Sequence, residues 1–353
     1  MKRAGLSLVV ALTAGCASPG YYVQAISGQA EIWVASRPLD EAGKDPAVSA
    51  EVRQRLALAA RMREFASREL ALPDNGSYRK YADLGRPYVV WNVYAAEPLS
   101  VKARQWCFPV AGCVGYRGYF SEAAAHAFAK ETQGEGYDVY VGGVPAYSTL
   151  GWLDDPILNT FLHYPDIELA RLLFHELAHQ VVYVSGDTTF NESFAVTVEE
   201  VGVMRWIARY GTAGQRQAYA GVAERRGDFR ALIKETRDRL ARLYAGPGST
   251  AEKLAEKVAI LARLQTDYRT LRDGRWGGFR GYDRWFAGDI NNATLASVGF
   301  YHDRVPAFRA LLAENGNDLE RFYADVRALS LLPPDQRAAR LAALSGNGQE
   351  EGR

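Results

Sequence analysis

The stretch Leu172-Leu-Phe-His-Glu-Leu-Ala-His-Gln180 places an H-E-x-x-H motif inside an apolar run. Neither Gly nor Pro occurs in residues 166–185, so the sequence predicts one helix over that range. On a helix, residues four positions apart lie on the same face, so His175 and His179 would direct two imidazole nitrogens at one point. That spacing suits a tetrahedral Zn²⁺, and we expect one such ion per chain.

Glu176 lies one position further around the same helix, where its carboxylate can reach a water on the metal. Zinc lowers the pKa of such a water to about 7, and the Glu then takes the proton as a general base. The motif therefore predicts metal-assisted hydrolysis. The alternative is a helix whose two His are ordinary core or surface residues.

A catalytic zinc needs a third protein ligand, and the second helical pattern, over residues 188–210, supplies candidates. Glu192 lies near its start, and the small side chain of Ala195 one turn on would let this helix approach the first closely. Glu199 and Glu200 are alternative third ligands. Glu199 also falls on the face of Glu192 two turns later, where it could support a ligand instead.

The predicted fold class is α+β and mostly helical. Strand patterns at residues 88–94, 99–106 and the stretch from Tyr137 predict a small antiparallel sheet that leads into the two metal helices. A cap at Ser121 and the capping box Ser249-Thr-Ala-Glu252 predict the starts of two further helices.

The chain is expected to divide into four regions. They are a signal segment (1–16), a catalytic region (17–210), a helical C-terminal subdomain (211–332), and a final helix with a polar tail (333–353).

Residues 137–152 begin as an alternating strand and then contain Gly142, Gly143 and Pro145. Gly and Pro are tolerated better at a sheet edge than at its centre. An edge strand beside the metal could pair with the extended backbone of a substrate. The alternative is an ordinary edge strand followed by a turn.

Three segments together resemble a family of bacterial lipoproteins labelled predicted aminopeptidases: residues 147–156, 175–180 and 188–195. The resemblance extends from Cys16 to about Leu332. It implies a peptide substrate and a zinc-dependent peptidase, with an aminopeptidase as the finer expectation.

The last two segments also resemble the gluzincin metallopeptidases, in which a Glu from the next helix completes H-E-x-x-H, often in an E-x-x-A context. This resemblance implies a zincin-like fold with His175, His179 and Glu192 as ligands and Glu176 as the base. Thermolysin-type enzymes place an Asp four residues after the ligand Glu, whereas this chain has Val196 there.

An aminopeptidase must hold the ammonium group of its substrate with an acid, and the G-x-M-E-N signature of one such group of enzymes is absent. Asp154, Asp155 and Glu199 are the candidates.

Zincins stabilise the oxyanion with a Tyr or His from a late helix. Tyr301 and His302 are candidates for that role, with Asn291 and Asn292 as possible binders of the substrate backbone. Roles in packing and helix capping explain these four residues equally well.

The N-terminus reads as a secretory signal, with a charged Met1-Lys-Arg3 before a short apolar run. It ends in Leu12-Thr-Ala-Gly-Cys16, which resembles a bacterial lipobox whose Cys is acylated. We therefore expect export to the periplasmic face of the envelope and membrane anchoring at Cys16, with the outer membrane favoured. Simple cleavage after Ala17 is the alternative.

Two cysteines remain, Cys107 and Cys113, and in an exported chain they predict a disulfide. The formal net charge is +1, so no field large enough to recruit nucleic acid is expected. Nothing in the sequence identifies a protein partner.

Two other functions stay open on the sequence alone. One is a non-catalytic envelope scaffold or chaperone lipoprotein with a structural zinc site, which would need a fourth protein ligand. The other is zinc-dependent hydrolysis of a different amide, such as a cell-wall peptide.

Overall fold

A computed structural model describes residues 19–108, 112–299 and 304–347. Three residues singled out from the sequence, Cys16, Tyr301 and His302, lie outside the described residues. The end of the chain after residue 347 also lies outside them.

Helices form most of the described chain. In chain order, the first seven are α1 (Pro19–Ala35), α2 (Leu39–Lys44), α3 (Ala50–Leu70), α4 (Glu122–Gly134), α5 (Asn159–Leu162), α6 (Asp166–Ala178) and α7 (Thr188–Tyr210). The rest are α8 (Ala213–Ala245), α9 (Thr250–Asp273), α10 (Asp283–Phe286), α11 (Asn292–Gly299), α12 (Val305–Glu314), α13 (Leu319–Ser330) and α14 (Pro334–Asn347).

The strands are short. They are β1 (Arg37–Pro38), β2 (Lys80–Ala82), β3 (Val90–Ala96), β4 (Trp106–Phe108), β5 (Gly112–Val114), β6 (Arg117–Tyr119), β7 (Asp138–Val144) and β8 (Ile157–Leu158). The main sheet is antiparallel in the order β6-β3-β7, so β7 is an edge strand, as predicted. A second sheet has the order β1-β2-β8 with β2 and β8 parallel, and β4 pairs with β5 as a hairpin. The prediction of a mostly helical α+β fold with a small antiparallel sheet is confirmed.

The predicted strand over residues 99–106 is wrong. Ser100 donates its backbone N–H to Glu97, and its hydroxyl accepts from the backbone of Lys102, so the chain turns there. Only an isolated bridge from Ala103 to Ala96 touches the sheet before β4 begins at Trp106.

Helices α6 and α7 pack against each other and run antiparallel, because residues earlier in α6 contact residues later in α7. Their close approach depends on Gly202, where an added Cβ would lie 2.7 Å from the Phe174 ring. Ala195 is fully buried, which agrees with its expected role in this close approach.

Helix α6 ends at Ala178, earlier than predicted, and His179 is its C-cap. Further along the predicted helix, Val184 is held by a side chain of α7. The side-chain amide of Asn191 accepts from Val184 N at 2.7 Å and donates to Val184 O at 2.8 Å. Both backbone polar groups of Val184 are therefore bonded to a side chain and cannot make helical hydrogen bonds. Helix propensity alone would have allowed the helix to continue through this residue.

The C-terminal half is tied to the sheet through polar groups. The Lys257 ammonium on α9 donates to Asp138 on β7 and to the carbonyl of Pro98. The Asn292 backbone at the start of α11 donates to the same Asp138 carboxylate at 3.0 Å. Since the charge of Lys257 is buried and paired, removing either partner would be costly. This network joins α9 and α11 to β7.

Candidate metal centre and cavity

Three side chains from α6, its C-cap and α7 converge. His175 Nε2 lies 3.2 Å from His179 Nε2, and the Glu192 carboxylate lies 3.2 Å from the first ring and 3.8 Å from the second. One ligand atom from each of the three lies within 4.8 Å of the others. The one-turn spacing of the two His and the antiparallel return of α7 produce this convergence. Glu200, one of the alternative third ligands, instead contacts Arg309 and Arg230.

The separations fit a tetrahedral zinc. With Zn–N bonds of about 2.0–2.1 Å, two ligand atoms at a tetrahedral angle lie roughly 3.3 Å apart. Two of the observed separations are 3.2 Å. The Glu192 Oε2 atom is buried and has no hydrogen-bond partner among the described residues. Two imidazole nitrogens and a carboxylate oxygen are also the ligand types that zinc takes.

The electrostatics of the three groups favour a cation between them. Burial alone would lower the pKa of His175, but the carboxylates of Glu192 and Glu199 outweigh it and raise the pKa to about 10. The same negative charge would stabilise a divalent ion, whose binding releases that proton. Burial lowers the pKa of His179 to about 4, so its ring is neutral at pH 7, as a metal ligand must be.

Glu199 contacts the other ring nitrogen of His175 and is not one of the three converging groups. Its Oε2 lies 2.8 Å from His175 Nδ1. A carboxylate only accepts, so Nδ1 carries the proton and Nε2 faces Glu192 and His179. Burial opposes ionisation of Glu199, but Arg171 and His175 lower its pKa to about 2. Arg171 Nη1 reaches Glu199 Oε2 at 3.0 Å, and Arg171 also donates to Glu168.

Glu176 lies in the same cavity as the three converging groups. Its carboxylate forms no hydrogen bond with any residue in the described part of the chain. Burial raises the pKa of Glu176 to about 7. A carboxyl with that pKa can exchange a proton near neutral pH, which is what general acid–base chemistry requires.

The cavity around these groups measures about 700 Å³. Its walls come from distant parts of the chain. Besides the converging side chains they include Asn92, Tyr116, Tyr147, Ser148, Tyr183, Arg226, Phe229, Arg230, Tyr282 and Val298. A volume of this size accommodates a short peptide segment.

Cys107 and Cys113 form a disulfide across the β4–β5 hairpin, so that pairing is confirmed. Phe108 and Val114 of this hairpin line the cavity. The hairpin also packs against the loop between α6 and α7, since an added Cβ at Gly112 would lie 2.6 Å from Gly186 N.

Sequence reasoning missed Arg171 and Tyr116. Arg171 was detectable, because it lies one turn before His175 on the same helical face. Tyr116 lies between two short strands in no recognisable motif, so only the structure brings it into the cavity. Burial and the nearby Glu192 carboxylate raise the pKa of Tyr116 well above its ordinary value, so its hydroxyl keeps its proton.

The two Asn considered as substrate binders hold the fold together. The Asn291 side chain donates to Val139 O at 3.0 Å. The Asn292 side chain donates to the carbonyls of Glu97 and Pro98, and its oxygen accepts from the Tyr244 hydroxyl.

None of the three acids considered for an ammonium group is free in the cavity. Asp154 lies 3.5 Å from Lys80, and Asp155 is buried and accepts from Thr149 N at 2.9 Å. Glu199 is paired with His175 and Arg171.

A family model described as "putative aminopeptidase" matches residues 20–341, which is most of the chain. No curated protein and no solved structure shows a significant match.

Proposed function

Because the chain belongs to the putative aminopeptidase family, we propose that it is a zinc-dependent peptidase of the bacterial envelope. The proposed ligands are His175, His179 and Glu192. The proposed general base is Glu176. The observation that carries the proposal is the convergence of the three ligand side chains in a cavity that also holds the Glu176 carboxylate.

A zinc ion held there would supply Lewis-acid chemistry, polarising the scissile carbonyl and acidifying a water. Glu176 takes the proton of the attacking water and delivers it to the leaving amine. Glu199 keeps the His175 ring in one orientation and one tautomer through the 2.8 Å contact at Nδ1. Tyr116 brings a neutral hydroxyl into the same cavity, as a donor for the substrate.

The end of the edge strand β7 supports an extended substrate. Val144 and the following residues up to Ser148 line the cavity. Asn291 occupies the other end of the strand at Val139, so strand addition would take place at the cavity end.

A structural zinc site is less well supported. Such a site is closed by four protein ligands, whereas a catalytic one keeps an open position. Among the described residues, the cluster that could hold a metal consists of His175, His179 and Glu192 alone, which favours an open position.

The test is cleavage of a peptide library read by mass spectrometry, with the zinc-loaded protein and its Glu176→Gln variant. We expect cleavage by the first and a loss of about 10³-fold or more in the second, with zinc content unchanged. Equal cleavage by both would contradict the proposal. Removal of single N-terminal residues would establish the finer aminopeptidase activity.

We also propose that the protein is exported and anchored by lipid at Cys16. Helix α1 begins shortly after that residue and exposes an apolar face: Val23, Ile26, Trp33 and Val34 are 58–89% exposed. A Trp on an exposed apolar face suits the membrane–water interface. None of the described helices is long and apolar enough to cross a bilayer.

Vesicle flotation tests the anchor. Protein made in bacteria should float with vesicles, and Cys16→Ser should reduce this strongly. Replacing Val23, Ile26, Trp33 and Val34 by Ser in the Cys16→Ser background should remove the remaining binding. Full flotation of Cys16→Ser would contradict the lipid anchor.

A further inference from the structure

One wall of the cavity takes no part in the chemistry described above. It is formed by α8, where Arg226, Phe229 and Arg230 line the cavity, and by Tyr282. Arg226 and Arg230 are one helical turn apart, so both guanidinium groups leave the same face of α8. The Phe229 and Tyr282 rings stack with their centroids 4.4 Å apart. This wall therefore presents two cations beside an aromatic pair.

The two arginines differ in what they bind. Arg226 Nη2 donates to Glu168 Oε1 at 2.6 Å. Arg230 forms no hydrogen bond with any residue that the structure describes, and its nearest ion-pair contact is Glu200 Oε1 at 3.7 Å. That separation is too long for a hydrogen bond.

The other oxygen of Glu200 accepts a hydrogen bond from Arg309. A guanidinium carries five N–H donors in a planar fork. The Arg230 side chain is only 27% exposed. Because the Arg230 guanidinium makes no hydrogen bond within the described residues, its fork can receive an incoming carboxylate through two parallel bonds.

The position of this wall relative to the metal ligands follows from α6 and α7. Arg226 contacts Glu168, which lies two helical turns before His175 on α6. Arg230 faces Glu200, which lies about two turns after Glu192 on α7. Two turns correspond to roughly 10 Å. An extended peptide rises about 3.3 Å per residue, so this distance spans about three residues.

We propose that Arg230, with Arg226 beside it, binds a carboxylate of the peptide substrate about three residues from the bond that is cut. This inference rests on the proposed peptidase function and adds a substrate class to it. The carboxylate belongs either to an Asp or Glu side chain or to the C-terminus of a short peptide, and both present the same group to the guanidinium.

The experiment measures kcat/KM of the full-length, zinc-loaded protein on a set of peptides of one length. A single Glu is moved through the positions around the cleaved bond, each Glu peptide is paired with its Gln counterpart, and each pair has a free or an amidated C-terminus. We expect one position, about three residues from the bond, at which Glu exceeds Gln by about tenfold or more. A preference for free over amidated ends, without a preference for Glu, would assign the site to the chain terminus.

Arg230→Gln should bring the ratio of kcat/KM for the Glu peptide to that for the Gln peptide close to one. Arg230→Lys should restore part of this ratio. Arg309→Gln is the matched control, since it removes the same charge from another partner of Glu200. Arg309 is 59% exposed and does not line the cavity, so its variant should keep the ratio.

Cleavage with neither preference would overturn this inference and leave the proposed function intact. Equal loss of the ratio in Arg230→Gln and Arg309→Gln would also overturn it, because the effect would then pass through Glu200. Failure to cleave any peptide would overturn the proposed function and this inference with it.

Discussion

His175 and Glu199 meet across the interface of α6 and α7, with His175 Nδ1 2.8 Å from Glu199 Oε2. Arg171 holds the same carboxylate at 3.0 Å from the preceding turn of α6. The side chain that orients the ring is therefore itself oriented by a cation, and all three groups lie on the two helices that carry the proposed ligands.

This contact predicts an order of zinc affinities. Glu199→Gln should weaken zinc binding by about 10- to 100-fold, because the amide no longer fixes the charge and orientation of His175. Glu192→Ala should not retain one zinc per chain after dialysis, since two imidazoles alone hold the ion poorly. Competition with a zinc chelator measures both affinities.

Glu200→Gln is the control for these zinc measurements. It removes a carboxylate next to Glu199 in the sequence, but its contacts are with Arg309 and Arg230. Its zinc affinity should equal that of the wild type. Weakening equal to that of Glu199→Gln would show that nearby negative charge, and not the His175 contact, is responsible.

Gly112→Ala tests how the disulfide hairpin docks. The backbone there has a φ of +73°, and the new Cβ would lie 2.6 Å from Gly186 N. We expect the free energy of unfolding to fall by about 2–4 kcal/mol, because of left-handed backbone strain and displacement of the hairpin. The cleavage rate should fall as well. Urea denaturation of the oxidised protein measures the stability.

Gly85→Ala separates the two causes. Gly85 has a φ of +59°, and a Cβ added there would have nothing within 4 Å. The free energy of unfolding of Gly85→Ala should fall by only about 1–2 kcal/mol, and its cleavage rate should be unchanged. Equal losses in both variants would mean that the contact with Gly186 contributes nothing.

Gly202→Ala should loosen the packing of α6 on α7. The added methyl would lie 2.7 Å from the Phe174 ring and 2.8 Å from Leu70 Cδ1. Overpacking of this kind costs about 1–3 kcal/mol. Gly227→Ala on α8 is the matched helical substitution, with nothing within 4 Å, and should stabilise by up to about 1 kcal/mol. Thermal denaturation measures both effects. Midpoint temperatures that shift in the same direction in the two variants would contradict this packing.

Asp155 makes a pH-dependent contribution to stability. Burial raises its pKa to about 6 from the ordinary value of 3.8. The folded state therefore binds the Asp155 proton more tightly than the unfolded state does. The stability gained from this proton is complete below about pH 4 and is lost as the pH rises through 6. Asp155→Asn cannot ionise and keeps an oxygen to accept from Thr149 N. It should be more stable than the wild type at pH 8 by about 2–3 kcal/mol.

The measurement for Asp155 is the difference in denaturation midpoint between wild type and Asp155→Asn from pH 4 to pH 8. Other titrating groups are common to the two proteins and cancel in this difference. A difference that does not change across that range would contradict the raised pKa.

Local signals explain what the sequence predicted correctly. Ser121 caps α4, and the Ser249–Glu252 capping box opens α9, as expected from neighbouring residues alone. The approach of His175, His179 and Glu192 follows from one helical spacing and one short connection, so it too was accessible from the sequence.

The misses have long-range causes. The non-helical backbone at Val184, inside the predicted helix, is held by the Asn191 side chain from beyond the loop. The placement of Tyr116 and Arg230 in one cavity depends on packing between segments far apart in the chain. No periodicity or motif in the sequence reports such contacts.

The cavity draws its proposed reactive groups from residues 175–199 and its α8 wall from residues 226–230. Bond breaking and peptide choice are thereby encoded in separate short segments. A combinatorial library confined to the α8 segment would sample new substrate selectivities while every proposed zinc ligand stays wild type. This helix is therefore the part of the cavity to vary when the peptide selectivity is redesigned.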